Sequence, residues 1–135
     1  RVDLASPHIA GYSYDGKLAG TEMIYQASCR YFSVEPGVIV NAVADDDLTL
    51  NISEHSSVIA AMREAVLSCY DIAQDDQRFR GGMLHCESQQ RAVEFDRLRK
   101  NYPRRRELSR YRIANLNELD QAVIEGLAAL GFICR

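Results

Sequence analysis

Apolar residues at Val58, Ile59, Met62, Ala65, Val66, Cys69, Ile72 and Ala73 recur every three or four positions, the period that gathers side chains on one face of an α-helix. The spacing predicts a helix over 57–73, with Ser53 or Ser56 placed to cap it and Gly81-Gly82 to break it. A second helix, from about Ser88 to Asn101, carries Val93, Phe95 and Leu98 among many charges and stops at Tyr102-Pro103, as a surface helix would. Leu119, Ala122, Val123, Leu127 and Leu130 share the inner face of a last helix capped by Asn115 or Asn117, and Gly131 follows it at the position that favours a left-handed backbone. Nearer the start, Met23, Ala27 and Tyr31 at four-residue spacing predict a helix from Leu18 to about Tyr31, opened by Gly16 or Lys17.

Other segments show strand texture. Leu48, Leu50 and Ile52 alternate with polar neighbours, and Val38-Ile39-Val40 lies across an acidic turn at Asp45-Asp46-Asp47. Leu108 to Ala114 and Phe132-Ile133-Cys134 are further candidates, and Val2-Asp3-Leu4-Ala5 reads as the end of a strand closed by Ser6-Pro7. The order predicts an α+β fold for residues 37–135, a small sheet with helices packed on one face. Residues 1–36 form a separate unit, ended by Pro36-Gly37 and too short to bury a strand and a helix by itself. The strands near 38–52 and 108–114 are expected to leave a second face uncovered, bearing Val40, Tyr111 and Ile113, and a two-fold homodimer would bury it.

Composition narrows the function classes. The 135 residues are 47% hydrophobic and 26% charged, which excludes a disordered chain. Nineteen acidic against sixteen basic side chains leave a net charge of −3, without the global basic footprint of a nucleic-acid or anionic-membrane binder. The one basic cluster, Arg104-Arg105-Arg106 with Arg97, Arg99, Lys100 and Arg110 nearby, reads as a solvated face or as a rim that pairs with a second subunit. No apolar run approaches the ~20 residues of a membrane span. The start Arg1-Val2-Asp3-Leu4 is neither a signal peptide nor an initiator methionine, so the chain is expected to be cut from something longer. Cys29, Cys69, Cys86 and Cys134 are widely and irregularly spaced in apolar surroundings, and His85-Cys86 has no second pair at metal spacing. No disulfide or metal site is expected, and a reducing cytoplasm fits best. His55 belongs to a helix start.

One segment has a specific chemical look: Ser6-Pro7-His8-Ile9-Ala10-Gly11-Tyr12-Ser13 sets a histidine just after a strand end and before glycine-rich backbone, a position suited to acid–base work on a ligand. With Leu4-Ala5 it resembles the last active-site motif of the NAD-dependent D-2-hydroxyacid dehydrogenases, a strand followed by Thr/Ser-Pro-His-Ile-Ala/Gly-Gly. Gly16-Lys17-Leu18-Ala19-Gly20-Thr21, Tyr70-Asp71-Ile72 with Asp75-Asp76, and Phe95-Asp96-Arg97-Leu98-Arg99-Lys100-Asn101-Tyr102 resemble one branch of that family, which acts on a phosphorylated 2-hydroxy acid and carries an extra C-terminal region.

The resemblance implies that His8 is the proton-transferring histidine, that Gly11 lies against the nicotinamide cofactor, and that Tyr12 contacts the phosphorylated substrate. Residues 1–36 would be the last strand, catalytic loop and crossover helix of a Rossmann-type NAD-binding domain, and residues 37–135 a dimerisation domain. Each role suits its residue: histidine titrates near neutral pH, glycine permits close approach, and a phenol donates a hydrogen bond to an anion. The Gly-x-Gly-x-x-Gly turn, the ribose-binding acid, the carboxylate-clamping arginine and the carboxylate that orients the histidine have no counterpart here, so the 135 residues alone are expected to be inactive. The competing reading is a non-catalytic dimeric or ligand-binding α+β module, which would have no use for residues 4–13.

Overall fold

A computed structural model describes residues 2–9, 11–37, 48–55 and 57–135. Among them, helix α1 (Tyr14–Phe32) is followed by strand β1 (Thr49–Leu50), helices α2 (Val58–Cys69), α3 (Ile72–Met83) and α4 (Arg91–Lys100), strand β2 (Arg112–Ile113) and helix α5 (Gln121–Ala129). Single 3₁₀ turns at Leu108–Arg110 and Leu116–Glu118 flank β2. No helix among the described residues is long and apolar enough to cross a membrane.

The sheet is small and parallel. Thr49 pairs with Arg112 and Leu50 with Ile113, while Ile133 bridges to Arg112 on the other side, so β2 lies in the middle. Parallel pairing requires crossovers, and α5 supplies the one between β2 and Ile133. Asn115 extends the β1 edge with its side chain. Its amide accepts from Ile52 N–H at 3.0 Å and donates to Ile52 C=O at 2.9 Å, replacing one strand pair.

The apolar period over 58–69 buries Ala61 and Ala65, and that of the last helix buries Val123 and Leu127; with Ile52, Ile113 and Phe132 these form one core. Helices α2 and α5 approach closely because Gly126 lacks a side chain: a Cβ there would sit 2.9 Å from Met62 Sδ. Gly131, at φ +97°, ends α5 as expected. Its N–H reaches Ala128 C=O and Phe132 N–H reaches Leu127 C=O, a Schellman closure that also turns Phe132 into the core.

Several expectations are corrected. The helix expected over 57–73 is two helices, and Gly81-Gly82 lies inside α3 rather than breaking it. The break falls at Tyr70-Asp71, where the Asp71 carboxylate caps Ala73 N–H. Ser57 caps α2 in place of Ser53, while Ser56 lies outside the described residues. Ser53 and His55 instead both bind Glu64. Helix α1 starts at Tyr14, four residues early, because Ser13 accepts from Gly16 N–H. The 108–114 strand is confined to Arg112–Ile113, preceded by a 3₁₀ turn.

Val2–Ala5 forms no strand: its backbone groups bond to Asp76 and Arg80 of α3. The expected second sheet face also fails on two of its three named residues. Ile113 is only 2% exposed within the α2–α5 core and Tyr111 packs against the same cluster. Val38-Ile39-Val40 and Asp45-Asp46-Asp47 lie outside the described residues.

Leu127 is fully buried between α2, α5 and the sheet. Leu127→Ala is therefore expected to destabilise the protein by about 2–5 kcal/mol, read as a lower urea midpoint at unchanged slope.

Candidate functional site

The loop that precedes α1 is a chain of reverse turns. His8 N–H bonds Ser6 C=O at 2.9 Å and Tyr12 N–H bonds Ile9 C=O at 3.0 Å. Two residues in it take the left-handed backbone, Gly11 at φ +68° and His8 at φ +58°. Glycine adopts that region freely, whereas a histidine there is held by its surroundings. Pro7 and Ile9 are buried and anchor the loop, leaving His8 and Gly11 exposed between and beside them. Among the described residues the His8 imidazole makes no hydrogen bond. Tyr12 lies half-buried on the far side of the turn, edge-to-face with Tyr102 at 5.9 Å.

The loop is locked to the C-terminal unit by charge. Arg106 is buried and grips the Asp15 carboxylate with two parallel bonds of 2.9 Å, and Glu107 N–H adds a third at 2.9 Å. Arg110 stands 3.6 Å from the same carboxylate. Tyr14 N–H donates to Arg105 C=O at 2.8 Å, and the buried Ser13 hydroxyl donates to Glu107 while accepting from Gly16 N–H. Within the basic run Arg104 is exposed and Arg105 half-exposed, as on a solvated face, whereas Arg106 is buried. Arg106 pairs within its own chain, and Arg104 and Arg105 lie over the rings of Tyr14 and Tyr70, at 4.3 and 4.5 Å.

Asp75 is the second anchor. It is 1% exposed, accepts from Tyr70 Oη at 2.9 Å and Tyr102 Oη at 2.7 Å, and is paired with Arg78. Burial, reinforced by these hydrogen bonds, raises both phenol pKa values. Tyr102 therefore stays a neutral donor. Beside it opens a cleft of about 270 Å³ lined by Pro7, Arg78, Phe79, Arg97 and Asn101 among others.

His8, Gly11 and Tyr12 therefore share one loop; of the residues that hold it, Asp75 and Tyr102 stand in the sequence motifs and Arg106 in the basic cluster, while Asp15 and Glu107 were not singled out from sequence. The cysteines are free thiols. Cys29 is buried, Cys69 and Cys134 pack against the core, and burial pushes the Cys69 thiol up to about 11. His85 is exposed just beyond α3, in a loop as expected. No three His, Cys, Asp or Glu side chains converge as a metal site among the described residues.

A family model described as "Domain of unknown function (DUF3410)" matches residues 46–131, and the chain belongs to that family. Across nearly its whole length it is also similar to proteins named erythronate-4-phosphate dehydrogenase. That of Cellvibrio japonicus (strain Ueda107) is 41% identical over 98% of this chain and 36% of its own length. That of Marinobacter nauticus (strain ATCC 700491 / DSM 11845 / VT8) is 40% identical over 98% and 34%. The chain spans about a third of the length of the curated relatives it matches. The resemblance to D-2-hydroxyacid dehydrogenases thus narrows to proteins named for one phosphorylated substrate.

Burial alone would raise the Asp15 pKa, but hydrogen bonds from Arg106 and Glu107 and the nearby guanidinium charges outweigh it and lower the pKa from its ordinary value of 3.8. A carboxylate depressed in the folded state stabilises at pH above 3.8, and that contribution is lost as pH falls through the folded pKa. Asp15→Asn should therefore cost stability at neutral pH and converge with the parent protein in acid. Urea unfolding at several pH values measures it, and a difference independent of pH would contradict the assignment.

Proposed function

We propose that this chain is the C-terminal part of an NAD-dependent dehydrogenase that oxidises 4-phospho-D-erythronate to 3-hydroxy-2-oxo-4-phosphooxybutanoate in vitamin B6 (pyridoxal phosphate) biosynthesis, in the cytoplasm. Residues 1–36 complete its NAD-binding domain and residues 37–135 hold the homodimer. The observation that carries this reading is the exposed His8 in a left-handed turn, inside a motif shared with dehydrogenases and pinned on both sides by buried residues. Strain of this kind persists where the surroundings impose it, and it collects at working sites.

Oxidation of a secondary alcohol removes a hydride from carbon and a proton from oxygen. His8 takes the hydroxyl proton, since imidazole titrates near neutral pH. The cofactor's contribution is to accept the hydride. Gly11 fits contact with it: its backbone is exposed at positive φ, and the space a Cβ would occupy is open. Tyr12 offers a phenol whose hydroxyl makes no hydrogen bond among the described residues, which suits an anionic substrate group. Most of the cofactor site belongs to residues outside this chain.

In the full-length dehydrogenase, His8→Asn is expected to lower kcat by about 10²-fold or more while NAD binding survives, because loss of a general base falls on the chemical step. Tyr12→Phe should act mainly on substrate KM. Stopped-flow turnover and NAD titration measure both, and near-parental turnover by the His8 variant would contradict the role. Sedimentation of the same proteins tests the dimer: a monomer at micromolar concentration would remove the function assigned to residues 37–135.

A further inference from the structure

We propose that Lys17 and Arg99 form, with the Tyr12 hydroxyl, a cradle for the phosphate group of the substrate. The inference rests on the dehydrogenase reading above and adds to it two specificity-determining residues, one at the start of α1 and one at the end of α4.

The Lys17 ammonium lies 3.7 Å from the centroid of the Tyr12 ring, and the Arg99 guanidinium carbon lies 5.8 Å from it. Two cations from elements far apart in sequence are thus gathered on one aromatic ring. Five neighbouring basic groups are neutralised, Arg78 by Asp75, Arg80 by Asp76, Arg97 by Glu94, Lys100 by Asp96 and Arg106 by Asp15, while Arg104 and Arg105 lie over the rings of Tyr14 and Tyr70. Lys17 and Arg99 have no ion pair among the described residues, in a chain with carboxylates in excess. Asp96, one helical turn before Arg99, feels the Arg99 charge but is hydrogen-bonded to Lys100 at 2.8 Å.

The Arg99 Nε is also a buried donor without a hydrogen-bond partner among the described residues. A buried unsatisfied N–H is costly and calls for a partner, which a bound anion supplies. A phosphate provides several strong acceptor oxygens for the half-exposed Arg99 guanidinium, for the ammonium and for the phenol. The ring contacts hold the two cations in place without consuming their donors. Tyr12 is itself fixed, through Tyr102, to the buried Asp75. The same loop presents His8 four residues away, so one short segment serves both ends of a small phosphorylated hydroxy acid.

The test uses the full-length dehydrogenase with Lys17→Gln and Arg99→Gln, and with the charge-keeping Lys17→Arg and Arg99→Lys. Each neutral variant should raise KM for the phosphorylated substrate about tenfold or more, as expected for loss of a charge-assisted hydrogen bond, with a smaller effect on kcat. Inorganic phosphate should inhibit the parent competitively and the neutral variants about tenfold less, and the charge-keeping variants should recover part of both effects. Phosphate binding is also read without turnover, by ³¹P line broadening on the 135-residue chain. Binding in the parent that weakens in the neutral variants supports the cradle even if no dehydrogenase activity is found. Unchanged KM and unchanged phosphate inhibition in folded Lys17→Gln and Arg99→Gln proteins overturn the cradle and leave the dehydrogenase reading standing.

Discussion

The bidentate pair between Arg106 and Asp15 is the constraint around which the rest is arranged. It joins residues 91 positions apart, with the arginine buried and both carboxylate oxygens engaged. A buried guanidinium is tolerable only with such a partner, since an unpaired one would cost several kcal/mol. Because Asp15 lies in the first turn of α1, the pair fixes the start of that helix. The Ser13 cap, the Tyr14 N–H bond to Arg105 and the Ser13–Glu107 contact then set the direction from which the His8 loop enters. An acidic residue in the first turn also favours the helix dipole, so the same carboxylate serves helix start and docking.

The molecule thus joins two kinds of cohesion. The α2–α5–sheet core is built of apolar side chains in close contact. The side facing the loop is held instead by directed polar contacts: Asp75 with two tyrosines and an arginine, Asp76 and Arg80 with the backbone of residues 2–5, and Asp15 with Arg106. Apolar contact is indifferent to small rotations, whereas bidentate and multi-donor contacts fix orientation. The loop that holds His8 in a left-handed turn is fixed by the second kind. On this account the C-terminal helices are part of the site.

What could be read from the sequence follows from the range of each signal. The last helix, Val123 and Leu127 on its inner face and Gly131 were legible because period and C-terminal cap are local, whereas its N-cap is Asp120, not Asn115 or Asn117, and Ala122 is exposed. The motif around His8 was legible because it is contiguous. The split between α2 and α3 was hidden because apolar spacing runs on through Tyr70-Asp71, and only the Asp71 cap marks the restart. The strands were overestimated because Asn115 takes over the pairing of Ile52 with a side chain. The burial of Arg106 was hidden in an otherwise solvent-facing run because its partner, Asp15, lies 91 residues away. Buried charge is paired by tertiary structure, which no local pattern encodes.

The most direct measurement of this account is amide hydrogen exchange in the parent protein and in Arg106→Met. If the pair with Asp15 holds the loop, the variant should lose protection at Tyr12, Tyr14 and Gly16, whose N–H groups bond to Ile9, Arg105 and Ser13, while Ile113 and Phe132 in the core keep theirs. Unchanged protection at Tyr12 and Tyr14, or an equal loss throughout the core, would contradict the claim that this single pair positions the His8 loop.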